Sequence, residues 1–225
     1  MKTISTRAIV LRRTNYGEAD RILHLLTPEG RRSVMARGVR KEKSKLAGGI
    51  ELFAVTDVVL GEGRGELGIL TSARLVHFYR HIIEDYDRLQ FGYYVIQQIT
   101  RASENVDEPE WFDMTADIFM ALDAVTIPLA LTQTWFYLRH ATLLGHQLNL
   151  NIDTEGERLS ADRTYRYDVG EQGLRELPQG ELTAEHIKLL RLISTRPLKV
   201  LAQIGGVDEI LPAILNVARE HAALQ

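Results

Sequence analysis

The sequence predicts an α+β chain of two domains. A small, closed or partly closed β-barrel occupies about residues 1–80, and an α-helical domain occupies 81–225. Three observations carry this. About five short apolar, β-branched runs fill the first 80 residues, with turn residues between them and no helical pattern. After Tyr79 the apolar residues recur at helical spacing. Charge also changes sign there: 15 Lys and Arg stand against 8 Asp and Glu in residues 1–80, a net of +7, while 12 stand against 22 in the remainder, a net of −10. A whole-chain charge of −3 conceals the split.

The elements follow in order. Thr6 to Leu11 is an apolar, β-branched strand. Ile22, Leu23, Leu25 and Leu26 make a second, and Ser33 to Ala36 a third. Thr27-Pro28-Glu29-Gly30 joins these two as a turn, with Pro at its second position and Gly at its fourth. Gly38 to Gly49 is polar, charged and glycine-containing, hence a loop. Leu52 to Leu60 is strongly β, Gly61 to Gly65 reads as a hairpin turn, and Leu67 to Thr71 returns. Ile83, Tyr86, Leu89, Tyr93 and Ile96 then mark a helix from Ile82 to about Ala102. A second starts at Asp107-Glu-Pro-Glu110, where acids suit the helix dipole, and runs to about Val125. Pro128 opens a third that ends near Gly145. Residues 151–180 are polar and glycine-rich, and hold a short hairpin over Thr164 to Val169 and Leu174 to Leu177. Thr183 caps a helix reaching Thr195, Pro197 begins a short one, and Val207 to Ala223 makes the last.

Composition excludes several chemistries. The chain has no cysteine, so it has no disulfide, thiol nucleophile, thiolate zinc site or iron–sulfur cluster. The opening MKTISTRAIVL lacks a long apolar segment and does not read as a signal peptide. No apolar run approaches the ~20 residues that cross a bilayer. The expected compartment is the cytosol, and no membrane partner is expected.

Charge is densest in Arg37-Gly-Val-Arg40-Lys41-Glu-Lys43-Ser-Lys45, where five cations fall within nine residues. Such a run collects polyanions, and each neutralised phosphate releases counterions.

Five motifs occur in one order: Gly17-Glu-Ala-Asp-Arg-Ile22, Leu26-Thr-Pro-Glu-Gly30, Ala36-Arg-Gly-Val-Arg40, Lys43-Ser-Lys-Leu46 and Gly63-Arg-Gly-Glu-Leu67. Together they resemble the N-terminal domain of the bacterial recombination mediator RecO family. Leu143-Leu-Gly-His146 and Tyr165-Arg-Tyr167 are looser matches to its helical domain. The resemblance implies an OB-fold β-barrel followed by an α-helical domain. It implies a role without catalysis: binding single- and double-stranded DNA, annealing complementary strands, and helping to load recombinase onto strands coated by single-strand binding protein. The implied partners are the mediator RecR and the acidic tail of single-strand binding protein. Many members of the family carry a four-cysteine zinc motif between helical segments. The matching stretch here, about Asn149 to Leu177, has no cysteine. A small β-hairpin is expected in place of the zinc knuckle, with no metal or other cofactor.

An OB barrel holds strands with a basic groove and aromatic platforms. The candidate DNA-binding cations are Arg12, Arg13, Arg31, Arg32, Arg37, Arg40, Lys41, Lys43, Lys45 and Arg64. Those from Arg37 to Lys45 rank first, because they match the family's basic segment. Alternation along a strand lets at most one of Arg12/Arg13, and one of Arg31/Arg32, face a groove. Tyr16 is the candidate stacking platform, and Phe53 is expected in the core. Few aromatics in this region argue for backbone electrostatics over base readout. In the helical domain Tyr93, Tyr94, Trp111, Phe112, Trp135, Phe136 and Tyr137 are expected mostly in the core, with some lining a groove for the acidic tail. Arg139 or Arg101 could meet that tail's carboxylates. His77 and His81, four residues apart, and His140 with His146 have no metal motif around them. Glu84, Asp85 and Asp87 suit a helix start better than acid–base work. Two rivals stay open: a protein–protein adaptor that binds no DNA, and an RNA-binding OB protein.

Overall fold

The structure, a computed structural model, describes residues 3–64, 67–105 and 108–223, with the side chains of 64 and 105 outside that description. It divides into two compact units, Met1–Ala124 and Val125–Gln225.

Five strands open the first unit: β1 (Thr3–Tyr16), β2 (Asp20–Thr27), β3 (Gly30–Ala36), β4 (Ala54–Arg64) and β5 (Leu67–Phe78). They close into a barrel in the order β1-β2-β3-β5-β4. All neighbours are antiparallel except β3 and β5, which meet in parallel through Val34–Gly68 and Met35–Ile69. This is the OB-fold arrangement. Gly30 holds the β2–β3 turn at φ 95°, a backbone state that only glycine adopts without strain. Inward-facing Ala8, Val10, Leu23, Leu25, Val34, Ala36, Val58, Leu60 and Leu70 fill the barrel.

The strands are longer than the sequence suggests. β1 runs on to Tyr16, well beyond its apolar run, and a bulge at Leu11 re-aims the chain: the ladder steps from Val10–Leu25 to Arg12–His24. Both Val10 and Leu11 are therefore buried. The ladder between β4 and β5 also passes through Gly61–Ile69 to Arg64–Leu67. Residues 61–64, expected in the turn, belong to the strand, and the connecting positions 65 and 66 lie outside the described residues.

Three helices complete this unit: α1 (Arg80–Glu84), α2 (Tyr86–Asn105) and α3 (Glu110–Asp123). The change from strand to helix falls near residue 80, but compaction runs on to Ala124 because α2 and α3 cover one side of the barrel. Phe53 is the hinge pin of this packing. Its ring meets Tyr93 and Phe119 edge-on, at centroid distances of 5.2 and 5.4 Å. Burial of a ring of that size is worth about 1.5–3 kcal/mol.

The second unit holds α4 (Leu129–Leu143), the hairpin β6 (Tyr165–Asp168) and β7 (Gly173–Glu176), then α5 (Ala184–Thr195), α6 (Leu198–Leu201) and α7 (Leu211–Ala222). The hairpin lies in the stretch expected to carry a β-hairpin in place of a zinc knuckle. Hydrogen bonds hold it instead: Tyr165 exchanges both backbone bonds with Leu182 at 2.9 Å. The Tyr167 hydroxyl donates to Nδ1 of buried His221 at 2.9 Å, and His221 Nε2–H donates to the His146 carbonyl at 2.7 Å. Burial lowers the His221 pKa and pushes that of Tyr167 up to about 12, so both stay neutral near pH 7. Among the described residues no helix is long and apolar enough to cross a membrane.

Candidate nucleic-acid interface

Strand register decides which cations share a face. Arg12 pairs with His24, and His24 with Ser33. Side chains at paired positions lie on one side of a sheet. Arg12, Thr14 and Tyr16 of β1, Ile22 and His24 of β2, and Arg31, Ser33 and Met35 of β3 therefore share the outer surface. Ile69 of β5, opposite Met35, extends it. Arg13 and Arg32 fall in the inward register with Leu23 and Leu25, at the barrel's ends. Arg13 turns to Glu51 at 2.8 Å and Arg32 to the Glu29 carbonyl at 2.9 Å. One arginine of each pair faces outward, as alternation requires.

Of the outward arginines, Arg12 is exposed, whereas Arg31 is held by Glu104 at 3.1 Å and by the Thr100 carbonyl at 3.2 Å. His24 sits between them. Its pKa is lowered by burial first, then by the Arg31 and Arg12 charges, while Glu104 opposes the shift. A phosphate on this face would weaken that repulsion of the imidazolium.

The basic segment is fixed at its start and open beyond. Val39 is buried in the barrel core. The Gly38 N–H donates to Asp20 at 2.6 Å, the Arg40 N–H to the Ala19 carbonyl at 2.9 Å, and the Arg40 guanidinium to the Gly17 carbonyl at 3.3 Å. These bonds lace the segment to the β1–β2 turn. Lys41, Lys43 and Lys45 then project from successive turns, exposed and without an ion-pair partner among the described residues. Ile50 re-enters the core. Anchoring at Val39 and Ile50 holds three free ammonium groups on a short, ordered loop, which lowers the entropy cost of meeting an anion.

Where the β1–β2 turn, the end of β3 and the β4–β5 hairpin converge, Tyr16, Arg37, Met35 and Ile69 line a cleft of about 550 Å³ with Asp20 and Glu62. Tyr16 is 56% exposed and Phe53 only 2%, the distribution expected of a platform and a core ring. The side chain of Arg64 lies outside the described residues. Register also adds residues that composition did not single out: His24, Ile22, Met35 and Ile69. The signal was present, since they alternate with the buried Leu23, Leu25 and Val34.

The remaining candidates sit apart. Arg101 is exposed on α2 in the first unit, and Arg139 is exposed on α4 in the second. His81 lies 3.3 Å and His77 4.0 Å from Asp123, while His140 is buried against Phe136. Among the described residues no three metal-ligating side chains are grouped to hold an ion. Glu84 pairs with Arg80 at 2.6 Å, and Asp85 accepts the Arg88 N–H at 3.0 Å. Asp85 serves the start of α2, whereas Glu84 is the last residue of α1 and does not.

Fold and face together define an OB-barrel protein with a cationic outer surface, joined to a helical unit. Comparison with known proteins gives the family. Residues 1–79 match the model described as "Recombination protein O N terminal", and residues 83–223 match "Recombination protein O C terminal". The chain is 32% identical over 220 residues to the DNA repair protein RecO of Roseiflexus sp., covering 92% of this chain and 74% of that one. It is 26% identical to RecO of Chlorobium phaeobacteroides over 98% of this chain and 92% of the other. For RecO of Rubrobacter xylanophilus the figures are 28%, 98% and 91%. The chain belongs to the Recombination protein O family, which serves DNA repair and recombination.

Proposed function

We propose that this protein is a recombination mediator that binds single- and double-stranded DNA on the outer face of its barrel. It anneals complementary strands and assists recombinase loading onto strands coated by single-strand binding protein. Its partners are RecR and the acidic tail of single-strand binding protein, with Arg139 or Arg101 meeting that tail. It acts in the cytoplasm, at the nucleoid, without catalysis and without a metal or cofactor. The barrel up to about residue 80 provides the DNA contact, and the helices beyond it the partner contacts.

The observation that carries this reading is the anchored loop of Lys41, Lys43 and Lys45 beside the cleft lined by Tyr16 and Arg37. Free cations on a fixed loop suit phosphates of any sequence. One exposed tyrosine offers a single stacking surface and little base discrimination. The test is annealing of two complementary labelled oligonucleotides, followed by quenching, with a competing RNA of the same sequence. Annealing faster than the spontaneous rate, and weaker competition by RNA, support the reading. Failure to bind either nucleic acid would leave an adaptor, and preference for RNA would point to recognition of the 2′-hydroxyl.

A further inference from the structure

The second unit has its own cationic groove. Gln147, Leu148, Leu150 and Asn151 form one wall, and Lys188, Arg191, Leu192, Ser194, Thr195 and Arg196, at the end of α5, form the other. It encloses about 420 Å³, and no carboxylate lines it. Lys188, Arg191 and Arg196 are exposed, and none forms an ion pair with a described residue. Yet this unit is net acidic, with 10 Lys and Arg against 12 Asp and Glu in residues 125–225. Basic charge has been gathered here against the average.

The geometry is prepared for an anion. Arg191 donates twice to the Leu150 carbonyl, at 2.9 and 2.7 Å, which fixes its guanidinium while its charge stays uncompensated. The helix C-terminal dipole accounts for a cation near Arg196 but not for Lys188, two turns earlier. Lys188 stands about 10 Å of helix before Thr195, the last residue of α5, and Arg196 lies just past that end, a spread enough to meet two or more successive phosphates. The floor is closed: Leu148 and Leu150 are only 5% and 6% exposed, and no aromatic ring lines the groove. An apolar-tailed peptide would need an open pocket. A charged backbone needs only the cations.

We propose that this groove is a second contact for a DNA backbone, separate from the barrel face. It rests on the reading that the protein binds DNA, and it gives the helical unit a direct part in holding a strand.

The experiment uses the full chain with Lys188→Ala/Arg196→Ala, and with Lys188→Glu alone. Anisotropy of a labelled single-stranded oligonucleotide is followed over salt. The slope of log K against log salt should fall by about 1.4, roughly 0.7 for each of two lost contacts. Lys188→Glu should weaken binding at least tenfold at low salt, with the melting temperature unchanged. Wild-type slope and affinity in both variants would overturn the proposal. A chain that binds no DNA at all would overturn this proposal and the proposed function together. Lys41→Ala/Lys43→Ala/Lys45→Ala is the parallel arm: if it binds normally while the groove variants fail, the barrel assignment is wrong and the groove stands. Loss of binding to an acidic peptide with DNA binding intact would make the groove a peptide site and overturn the backbone reading.

Discussion

Gly92→Ala should destabilise this protein, although Gly92 lies inside α2, where alanine normally helps. Replacing glycine in a helix interior gains about 0.5–1 kcal/mol from backbone entropy. Here a Cβ at position 92 would stand 2.7 Å from Phe53 Cε1 and 3.3 Å from Ile82 Cγ2. Neither neighbour can easily give way. Phe53 is wedged between Tyr93 and Phe119, and its carbonyl accepts the Tyr79 N–H at 2.9 Å. Overpacking of this kind costs about 1–3 kcal/mol. The net is a loss of about 1 kcal/mol, or a Tm lower by about 2–4 °C for a chain of this size. The assay is thermal unfolding of the full chain, with Phe53→Leu and the double variant completing a cycle. Leucine removes the ring edge that the new methyl meets, so Gly92→Ala should cost little in that background. A higher Tm for Gly92→Ala in the native background would refute the packing of α2 against Phe53.

Three further outcomes follow from the same geometry. Glu104→Ala should release Arg31 toward the outer face and steepen the salt dependence of DNA binding by up to about 0.7, with little change in Tm; an unchanged slope would show that Arg31 stays on the Thr100 carbonyl. His24, His186 and His221 all have pKa values below the usual 6.5 in the folded chain, in each case mainly through burial. The unfolded chain therefore takes protons first, so stability present above about pH 6.5 is lost as pH falls toward the folded values; His221→Leu should flatten the Tm–pH curve measured from pH 7.5 to 5 and cost about 1–3 kcal/mol at pH 7.5, because Tyr167 and the His146 carbonyl lose their partner. Chelator should leave the Tm unchanged, and elemental analysis should find far less than one zinc per chain; stoichiometric zinc would point first to His77 and His81.

The barrel was legible because its signals are local. Thr27-Pro28-Glu29-Gly30 announces its turn, and Leu23, Leu25 and Val34 announce the inward face by alternation. The bulge at Leu11 was not, since nothing in an apolar run marks the residue that will be left unpaired. The cationic site was half legible. The Arg37–Lys45 run could be counted, and alternation separated Arg12 from Arg13. That Glu51 would claim Arg13 and Glu104 would claim Arg31 depends on partners 38 and 73 positions away, which only the fold brings near. Charge summed by halves also blurred where the acid lies. Residues 81–124 hold 2 Lys and Arg against 10 Asp and Glu, so the deficit belongs mainly to α1–α3, which share a compact unit with the barrel. The second unit is only slightly acidic, with a net of −2, and its groove cations were lost in the average. A barrel fragment ending near residue 80 would lose the cover over Phe53. A boundary at Ala124 keeps it.

The most direct test of the account is the salt dependence of single-stranded DNA binding by Lys41→Ala/Lys43→Ala/Lys45→Ala. All three side chains are exposed and unpaired among the described residues, so the fold should be indifferent to their loss. Binding to every sequence should weaken alike, and the slope of log K against log salt should fall by about 2, roughly 0.7 per lost phosphate contact. A slope equal to that of the unaltered chain would contradict the assignment of the DNA-binding surface to the barrel's basic loop.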